Sequence, residues 1–516
     1  MRFALALPRT LVAALVAACL ATPPPAAAGS RPNLILVVAD DLDSRLGTLD
    51  FLPTVGQMVA DGSSFARFFT PTSLCCPGRT TILRGQYVHG HGVYTNGPPT
   101  GGFARFQELA LEQATVATAL RSAGYRTALF GKYLNGFEGF PDDLYVPAGW
   151  SEWFGVVAGN AYSNYGYTLN EGGTLVEYGT EEDDYLTDVL AGHARAAVLR
   201  ALALGQPFFL YFAPYVPHTP ATPAPRHAGL FPGAIAPRTP SFNEADVSDK
   251  PALIAALDPL TPPEIAEIDE LYRNRLRSLQ AVDEALASLI ALLAEHGQLD
   301  STYILFTTDN GYHMGQHRLP PTKFFAYEED VLGPLVVRGP GVAAAREIAL
   351  PANSADLAPT LLELAGVAPT WSVDGRSLVS LWGSAPPDEW RATQLLEQYP
   401  LATNDDPSAS HLNLERGASP WVGEPEPFYL GLRTDELKFV EWSTGERELY
   451  FLRADPYELD NRAGCASPAL LAATAELTAA LHGCAGDSCR EVELLTPLLS
   501  DGFDCGGTQA WSAVAP

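Results

Sequence analysis

Residues 33–41 read NLILVVADD, an almost uninterrupted apolar run that ends in two aspartates. Three later runs have the same form, apolar first and then polar or charged: 127–130 (TALF) before Gly131-Lys132, 208–213 (FFLYFA) leading to His218, and 303–308 (YILFTT) before Asp309-Asn310. Continuous apolar runs of this length are typical of strands buried on both faces, as in a parallel sheet covered by helices.

Helical patterns separate these runs. Residues 115–123, 183–204 and 264–296 carry apolar side chains at helical spacing. Alternating strands and helices predict an α/β fold, with a large, mostly parallel central sheet sandwiched by helices. Ligands in such folds gather at the carboxyl ends of the strands. We therefore interpret the four polar clusters as parts of one site.

The composition changes after about residue 395. Residues 402–427 are rich in Pro, Ser, Asn and Asp and indicate a loop. Short strand patterns follow at 429–442 and 448–452, and a helical pattern at 468–481. The sequence predicts a small C-terminal α+β subdomain at 396–516, after an α/β domain at 29–395.

The first 28 residues predict a secretory signal peptide. Arg2 and Arg9 precede the apolar stretch 11–21, and a small-residue run precedes a cleavage point near Gly29. The stretch is shorter than the roughly 20 residues that cross a bilayer, so we expect an exported chain with no transmembrane segment. Cys19 follows Val-Ala-Ala and leaves a lipid anchor open, although a cysteine inside a discarded signal is the favoured interpretation.

Acidic residues outnumber basic ones by 60 to 32, for a formal charge of −28. The resulting negative electrostatic potential repels nucleic acid and anionic membranes, so neither is an expected partner. An anionic substrate would require the scarce cations to be concentrated at its site.

Four cysteines lie near the C-terminus, at positions 465, 484, 489 and 505. In an exported chain they favour two disulfides, with the pairing left open. Zinc is disfavoured for them, because no CxxC pair or histidine cluster accompanies them.

The most specific motif in the sequence is Cys75-Cys76-Pro77-Gly78-Arg79. The pattern Cys75-x-Pro77-x-Arg79 resembles the signature of the type I, formylglycine-dependent sulfatases of the alkaline phosphatase superfamily. Further stretches resemble landmarks of that family in the right order: 38–41, 131–135, 308–313, Lys323, 356–360 and 449–456. The sequence GKYLN at 131–135 resembles the corresponding motif of the N-acetylglucosamine-6-sulfatase-like branch of the family. Gly78 stands where the family usually has Ser or Ala, and Leu134 where many arylsulfatases have a histidine.

The resemblance implies hydrolysis of aryl or carbohydrate sulfate monoesters by Cys75, converted to formylglycine by a formylglycine-generating enzyme. Its hydrated aldehyde would attack sulfur, with Arg79 orienting the nucleophile and His218 or Lys323 protonating the leaving alcohol. Positive charge on the substrate side would come from Arg79, Lys132, His218 and Lys323.

A hard divalent cation completes the expected site. Its ligands would be oxygens of Asp40, Asp41, modified Cys75, Asp309 and Asn310. An all-oxygen set favours Ca²⁺ or Mg²⁺ over zinc. Two alternatives stay open: a phosphomonoester or phosphonate hydrolase of the same superfamily, and an unactivated exported protein that binds sulfated glycans.

Overall fold

A computed structural model of the protein describes residues 31–383, 387–400 and 427–497. The strands in these residues are β1 (Asn33–Ala39), β2 (Ser63–Phe65), β3 (Phe68–Phe69), β4 (Arg126–Gly131), β5 (Glu152–Gly159), β6 (Tyr167–Glu171), β7 (Leu175–Tyr178), β8 (Phe208–Ala213), β9 (Thr302–Thr308), β10 (Leu332–Gly333), β11 (Val336–Arg338), β12 (Arg346–Ile348), β13 (Ala352–Asn353), β14 (Thr393–Gln398), β15 (Tyr429–Thr434), β16 (Leu437–Trp442) and β17 (Arg447–Phe451).

The helices in the same residues are α1 (Pro53–Asp61), α2 (Cys75–Arg84), α3 (Val88–His91), α4 (Gly102–Glu108), α5 (Val116–Ser122), α6 (Leu186–Leu204), α7 (Ala252–Ala255), α8 (Pro262–Glu295), α9 (Glu328–Val331), α10 (Leu357–Leu364), α11 (Pro468–His482) and α12 (Asp487–Val492). The three predicted helices correspond to α5, α6 and α8. Capping boxes begin α5 at Thr115 and α8 at Thr261, so each starts close to its predicted residue.

A ten-stranded sheet has the order β12-β2-β11-β9-β1-β8-β4-β5-β6-β7. Its centre, from β9 to β5, is parallel. Antiparallel pairs flank that centre on both sides, at β11 and at β6 and β7. The α/β class predicted from the sequence is confirmed, and the whole sheet is mixed.

Strand β1 lies between two hydrophobic layers, one on each face of the sheet. Leu34, Leu36 and Val38 face a layer that contains residues of α2, α5 and α10. Ile35 and Val37 face the opposite layer, which contains residues of α1, α6 and α8. Both faces of the strand are covered, which explains why its sequence does not alternate between polar and apolar residues.

A smaller antiparallel sheet, β14-β15-β16-β17, follows in the C-terminal part. One face packs on α11 through Leu432, Leu449 and Leu477. The other face packs on the segment 324–331, which follows Lys323 along the chain. The predicted domain boundary after residue 395 lies inside β14, and the division into domains stays a prediction. The predicted loop, 402–427, lies outside the described residues except for its last residue.

Cys484 and Cys489 form a disulfide with 4.8 Å between their Cα atoms, and Cys465 is also disulfide-bonded. Cys505 lies outside the described residues. So do the predicted signal peptide and Cys19, and nothing described supports a lipid anchor. Among the described residues, no helix has the length and apolar character that crossing a membrane requires.

A buried arginine joins the two parts of the structure. Arg391 donates to Asp356, at 2.7 Å and through a second, shorter bond, and at 3.0 Å to Glu493 beside α12. All three side chains are fully buried. Removing one partner of such a network leaves charges that neither water nor protein compensates.

We expect Arg391→Met to lower the free energy of unfolding by about 3 kcal/mol or more, because Asp356 and Glu493 lose a buried cation. Chemical denaturation followed by circular dichroism measures the change. The matched control is Arg447→Met, which removes the exposed pair with Glu441 and should cost at most about 1 kcal/mol. Equal losses in the two variants would contradict a stabilising role for the buried network.

Candidate active site

The four polar clusters that follow apolar runs meet at one edge of the large sheet. Strands β9, β1, β8 and β4 are adjacent and parallel, so their carboxyl ends point to the same edge. Beyond these ends lie Asp309-Asn310, Asp40-Asp41, His218 and Lys132. Helix α2 brings Cys75 and Arg79 to the same place, and the loop before α9 brings Lys323. The structure therefore brings together all nine predicted site residues; their roles stay predictions.

Cys75 is the first residue of α2 and is 1% exposed. The adjacent backbone N–H of Cys76 donates to Asn96 Oδ1 at 2.9 Å, which anchors the start of the helix. A Cβ atom at Gly78 would lie 2.5 Å from the carbonyl oxygen of Asp309. The glycine thus lets α2 approach the end of β9 closely, which brings Cys75 near the aspartates.

Three buried cations alternate with three buried carboxylates. Lys132 Nζ lies 2.7 and 2.8 Å from the two oxygens of Asp40. Arg79 Nε donates to Asp309 at 2.8 Å, and its Nη2 lies 3.4 Å from Asp40. Lys323 Nζ lies 2.6 Å from Asp41 Oδ1. The six side chains are at most 2% exposed, so each charge depends on its partner for compensation.

The pKa values reflect this arrangement. Burial would raise the pKa of the Asp40 carboxyl, but Lys132 and Arg79 outweigh burial and hold that pKa below its usual range. Lys323 and His218 likewise lower the pKa of Asp41 against burial. Asp40 and Asp41 are therefore carboxylates at neutral pH. For Asp309 burial prevails over the attraction of Arg79, and its pKa is raised.

Cys75 is surrounded by these groups. Its Sγ lies 2.9 Å from Lys323 Nζ and 3.8 Å from Asp41 Oδ1. Burial raises the pKa of the Cys75 thiol, and the attraction of Lys132 and Lys323 only partly offsets it. The unmodified side chain is therefore a neutral thiol, which is a poor nucleophile and a poor metal ligand.

The oxygen-rich part of the cluster fits a divalent cation. Ligand atoms of Asp40, Asp309 and Cys75 lie within 4.8 Å of one another, as do those of Asp41, His218 and Cys75. Asn310 Oδ1 is buried next to them without a hydrogen-bond partner. A cation would satisfy this oxygen and would also compensate Asp309. Carboxylate and amide oxygens are the donors that Ca²⁺ and Mg²⁺ prefer.

His218 differs from the other site residues because its side chain is 19% exposed. Its Nδ1 lies 2.7 Å from the carbonyl oxygen of Thr219, which assigns the Nδ1 proton to that bond. Its Nε2 lies 3.6 Å from Asp41 Oδ2. His218 therefore lies at the mouth of the site, where a leaving group could reach solvent.

Sequence reasoning missed Arg275 of α8. This fully buried side chain donates to the backbone oxygens of Asp41 at 2.6 Å and Pro217 at 3.2 Å, and it stacks on Tyr312 at 4.3 Å. It therefore holds the segments that carry Asp41 and His218. An arginine within the apolar face of α8, between Tyr272 and Leu279, was the available signal.

Two further contacts support the site. His313 lies 2.7 Å from Asp330 through Nδ1 and 2.9 Å from the Pro320 oxygen through Nε2, so it holds the loop of Lys323. Tyr162, in the segment between β5 and β6, packs against His218 with ring centroids 4.5 Å apart. Lys132 Nζ lies 5.2 Å from the centre of the same tyrosine ring.

Comparisons with known proteins agree with the motif pattern. The sulfatase family model matches residues 32–367. The extracellular sulfatase SULF-1 homologue of Drosophila melanogaster is 37% identical over 374 residues, which cover 71% of this chain and 33% of that protein. This chain thus spans only about a third of that relative's length. The N-acetylglucosamine-6-sulfatase of Capra hircus is 34% identical over 503 residues, 93% of this chain and 88% of that protein.

A solved structure has the same fold. It is a protein in complex with its substrate D-glucosamine-2-N,6-O-disulfate, with a TM-score of 0.71 and 22% identity, covering 92% of this chain and 100% of that one. The family model and the goat relative together cover the cysteine motif and all of the site residues. The resemblance inferred from the motifs is confirmed, and the chain belongs to the sulfatase family of hydrolases.

Proposed function

We propose that this protein is an exported sulfatase that hydrolyses sulfate monoesters and uses Cys75, oxidised to formylglycine, as its nucleophile. The observation that carries the proposal is the environment of Cys75. It begins α2 between two lysines and three aspartates, where its thiol is neutral. An oxygen-bearing side chain at this position suits the surrounding oxygen ligands, whereas a buried thiol does not.

The modified residue would take part in both steps of the hydrolysis and would be restored at the end. The aldehyde of formylglycine would add water to give a gem-diol. One of its hydroxyl oxygens would lose its proton and bond to sulfur as the bond from sulfur to the alcohol oxygen breaks, and the alcohol oxygen would take up a proton. Loss of the proton from the other hydroxyl then expels sulfate and restores the aldehyde. Covalent catalysis of this kind divides one difficult displacement into two easier steps.

The surrounding side chains suit these steps. Lys323 Nζ, 2.9 Å from Cys75 Sγ, is close enough to hydrogen-bond to an oxygen of the modified residue. His218 is the partly exposed group and is the better candidate to protonate the departing alcohol. Arg79 contacts both Asp309 and Asp40, so it orients the carboxylates around the nucleophile.

A divalent cation, Ca²⁺ or Mg²⁺, would supply Lewis-acid stabilisation of the negative charge on the sulfate oxygens. The residues that would hold it are Asp40, Asp41, Asp309, Asn310 and an oxygen of modified Cys75. Lys132 and Lys323 add fixed positive charge in a buried setting, where electrostatic stabilisation is strongest. Because these lysines and Arg79 neutralise the three aspartates, the cation would give the site a local positive charge that attracts a sulfated substrate despite the formal −28 of the whole chain.

For the substrate we propose a carbohydrate or aryl sulfate, with N-acetylglucosamine 6-sulfate as the first compound to try. Support comes from the goat relative named N-acetylglucosamine-6-sulfatase and from the glucosamine disulfate bound by the structural neighbour. Export is supported by the relative named as extracellular and by the disulfide between Cys484 and Cys489, because disulfides persist in oxidising compartments.

The first test is the mass of the tryptic peptide 68–79, FFTPTSLCCPGR, from protein made in its native host or with a formylglycine-generating enzyme. We expect a loss of about 18 Da at Cys75, as required for conversion of the thiol to the aldehyde nucleophile. Cys76 in the same peptide is the internal control and should still react with iodoacetamide. A thiol at Cys75 in fully active protein would refute the mechanism.

The second test compares hydrolysis of p-nitrophenyl sulfate with that of p-nitrophenyl phosphate. We expect the sulfate to be preferred, and Lys132→Met to lower its kcat/KM by roughly 10²- to 10³-fold because Asp40 loses its cation. The matched control is Lys250→Met, which removes a buried lysine paired with Glu244 and Asp249 and should leave kcat/KM unchanged. Preference for the phosphate would favour the phosphomonoester or phosphonate hydrolase.

The third test is removal of metal ions. Dialysis against a chelator should abolish hydrolysis of p-nitrophenyl sulfate, and adding Ca²⁺ or Mg²⁺ should restore it, because the buried oxygens of Asp309 and Asn310 would lose and then regain the cation they are proposed to bind. Asn310→Leu removes one neutral ligand and should raise the cation concentration needed for half-maximal activity. Full activity after chelation, with no metal left by elemental analysis, would contradict a metal-assisted site.

A further inference from the structure

Outside the active site, three metal-ligating side chains converge where α3, β14 and the end of α11 meet. His89 Nδ1 lies 3.0 Å from Glu397 Oε2, and His482 Nε2 lies 3.9 Å from the same oxygen. The two imidazole rings have their centroids 5.0 Å apart. One ligand atom from each residue lies within 4.8 Å of the other two.

The outer contacts of this cluster resemble those of a metal site. His89 Nε2 lies 3.0 Å from the carbonyl oxygen of Cys484, which assigns the Nε2 proton to that bond and turns Nδ1 towards Glu397. Glu397 Oε1 accepts the backbone N–H of Val88 at 2.7 Å, and Oε2 accepts the hydroxyl of Tyr399 at 3.1 Å. Metal-binding histidines and carboxylates are oriented by such hydrogen bonds.

We propose that His89 Nδ1, a Glu397 carboxylate oxygen and His482 Nε2 bind one zinc ion, with water as the fourth ligand. Two imidazole nitrogens and one carboxylate form a ligand set that zinc accepts with tetrahedral geometry. Glu397 is fully buried, and the side chains of His89 and His482 are 12% and 30% exposed. The ion can therefore enter from the side of His482.

The two ligand-atom distances to Glu397 require little adjustment. Ligand atoms around a tetrahedral zinc with bonds of about 2.0 Å lie roughly 3.3 Å apart. The His89–Glu397 distance of 3.0 Å is already close to this value, and His482 must approach Glu397 by less than 1 Å from 3.9 Å. His482 is the last residue of α11, and its Nε2 would exchange a 3.0 Å hydrogen bond with the Tyr399 hydroxyl for the bond to zinc.

A proton competes with the ion. Burial would lower the pKa of His89, but the Glu397 carboxylate beside it raises that pKa to about 9. In the metal-free protein the His89 imidazolium and the Glu397 carboxylate therefore form an ion pair at the proposed zinc site. Zinc binding would release the His89 Nδ1 proton to solvent. Bound zinc would link α3, strand β14 of the small sheet and the end of α11. Such an ion adds stability because it binds the folded chain selectively.

The test uses zinc alone as the probe, on full-length protein loaded with Ca²⁺ at the active site. We expect one zinc more per chain in the wild type than in His482→Gln by equilibrium dialysis and elemental analysis. Isothermal titration should give an affinity at least about tenfold weaker for the variant. His296→Gln, which changes an exposed histidine beyond α8, is the matched control and should bind as the wild type does.

Cobalt absorption gives a second readout that does not depend on affinity. Co²⁺ in the wild type should show the intense visible bands of a four-coordinate site, and these should be absent in His482→Gln. Equal zinc counts in the wild type and His482→Gln, or no zinc bound by the wild type, would overturn the proposal. Hydrolysis of sulfate esters should be the same in both proteins, so the outcome is independent of the proposed activity.

Discussion

Three carboxylates lie buried at the ends of two neighbouring parallel strands, and the structure around them depends on neutralising their charge. Asp40 and Asp41 follow β1, and Asp309 follows β9. Without water, each would be strongly destabilising unless a cation lay within ion-pair distance. Lys132, which follows β4, and Arg79 of α2 provide that cation for Asp40 and Asp309. Lys323 provides it for Asp41. The charge requirement thus links elements that are far apart in sequence.

Contacts from other parts of the protein hold the buried carboxylates and their cations in position. The small C-terminal sheet packs on the segment 324–331 and so fixes the loop that carries Lys323. Arg275 binds the backbone of Asp41 from the opposite side of the site. The close approach of Gly78 to the Asp309 carbonyl brings α2 onto the end of β9. A buried cluster of charges positioned this closely requires support from all of these elements.

Much of the fold could be predicted because its signals are local. The run 33–39 coincides with β1, since a strand covered on both faces must be apolar throughout. The long apolar pattern from Glu264 predicted α8 to within two residues at its start and one at its end. The antiparallel strands β6 and β7 did not enter the predicted sheet, because their residues are partly exposed and short patterns carry little information.

By itself, the sequence determined the fold class, the family and the identity of the residues gathered at the sheet edge. Each of these conclusions comes from apolar runs or motifs that are only a few residues long, so the residue types alone indicate the local structure or chemistry. Only the tertiary structure decided that Arg275 supports Asp41, 234 residues away, and that His218 lies at the mouth. It also decided that His89, Glu397 and His482 meet. These contacts arise from packing between distant elements, and no local pattern of apolar and polar residues encodes such distances.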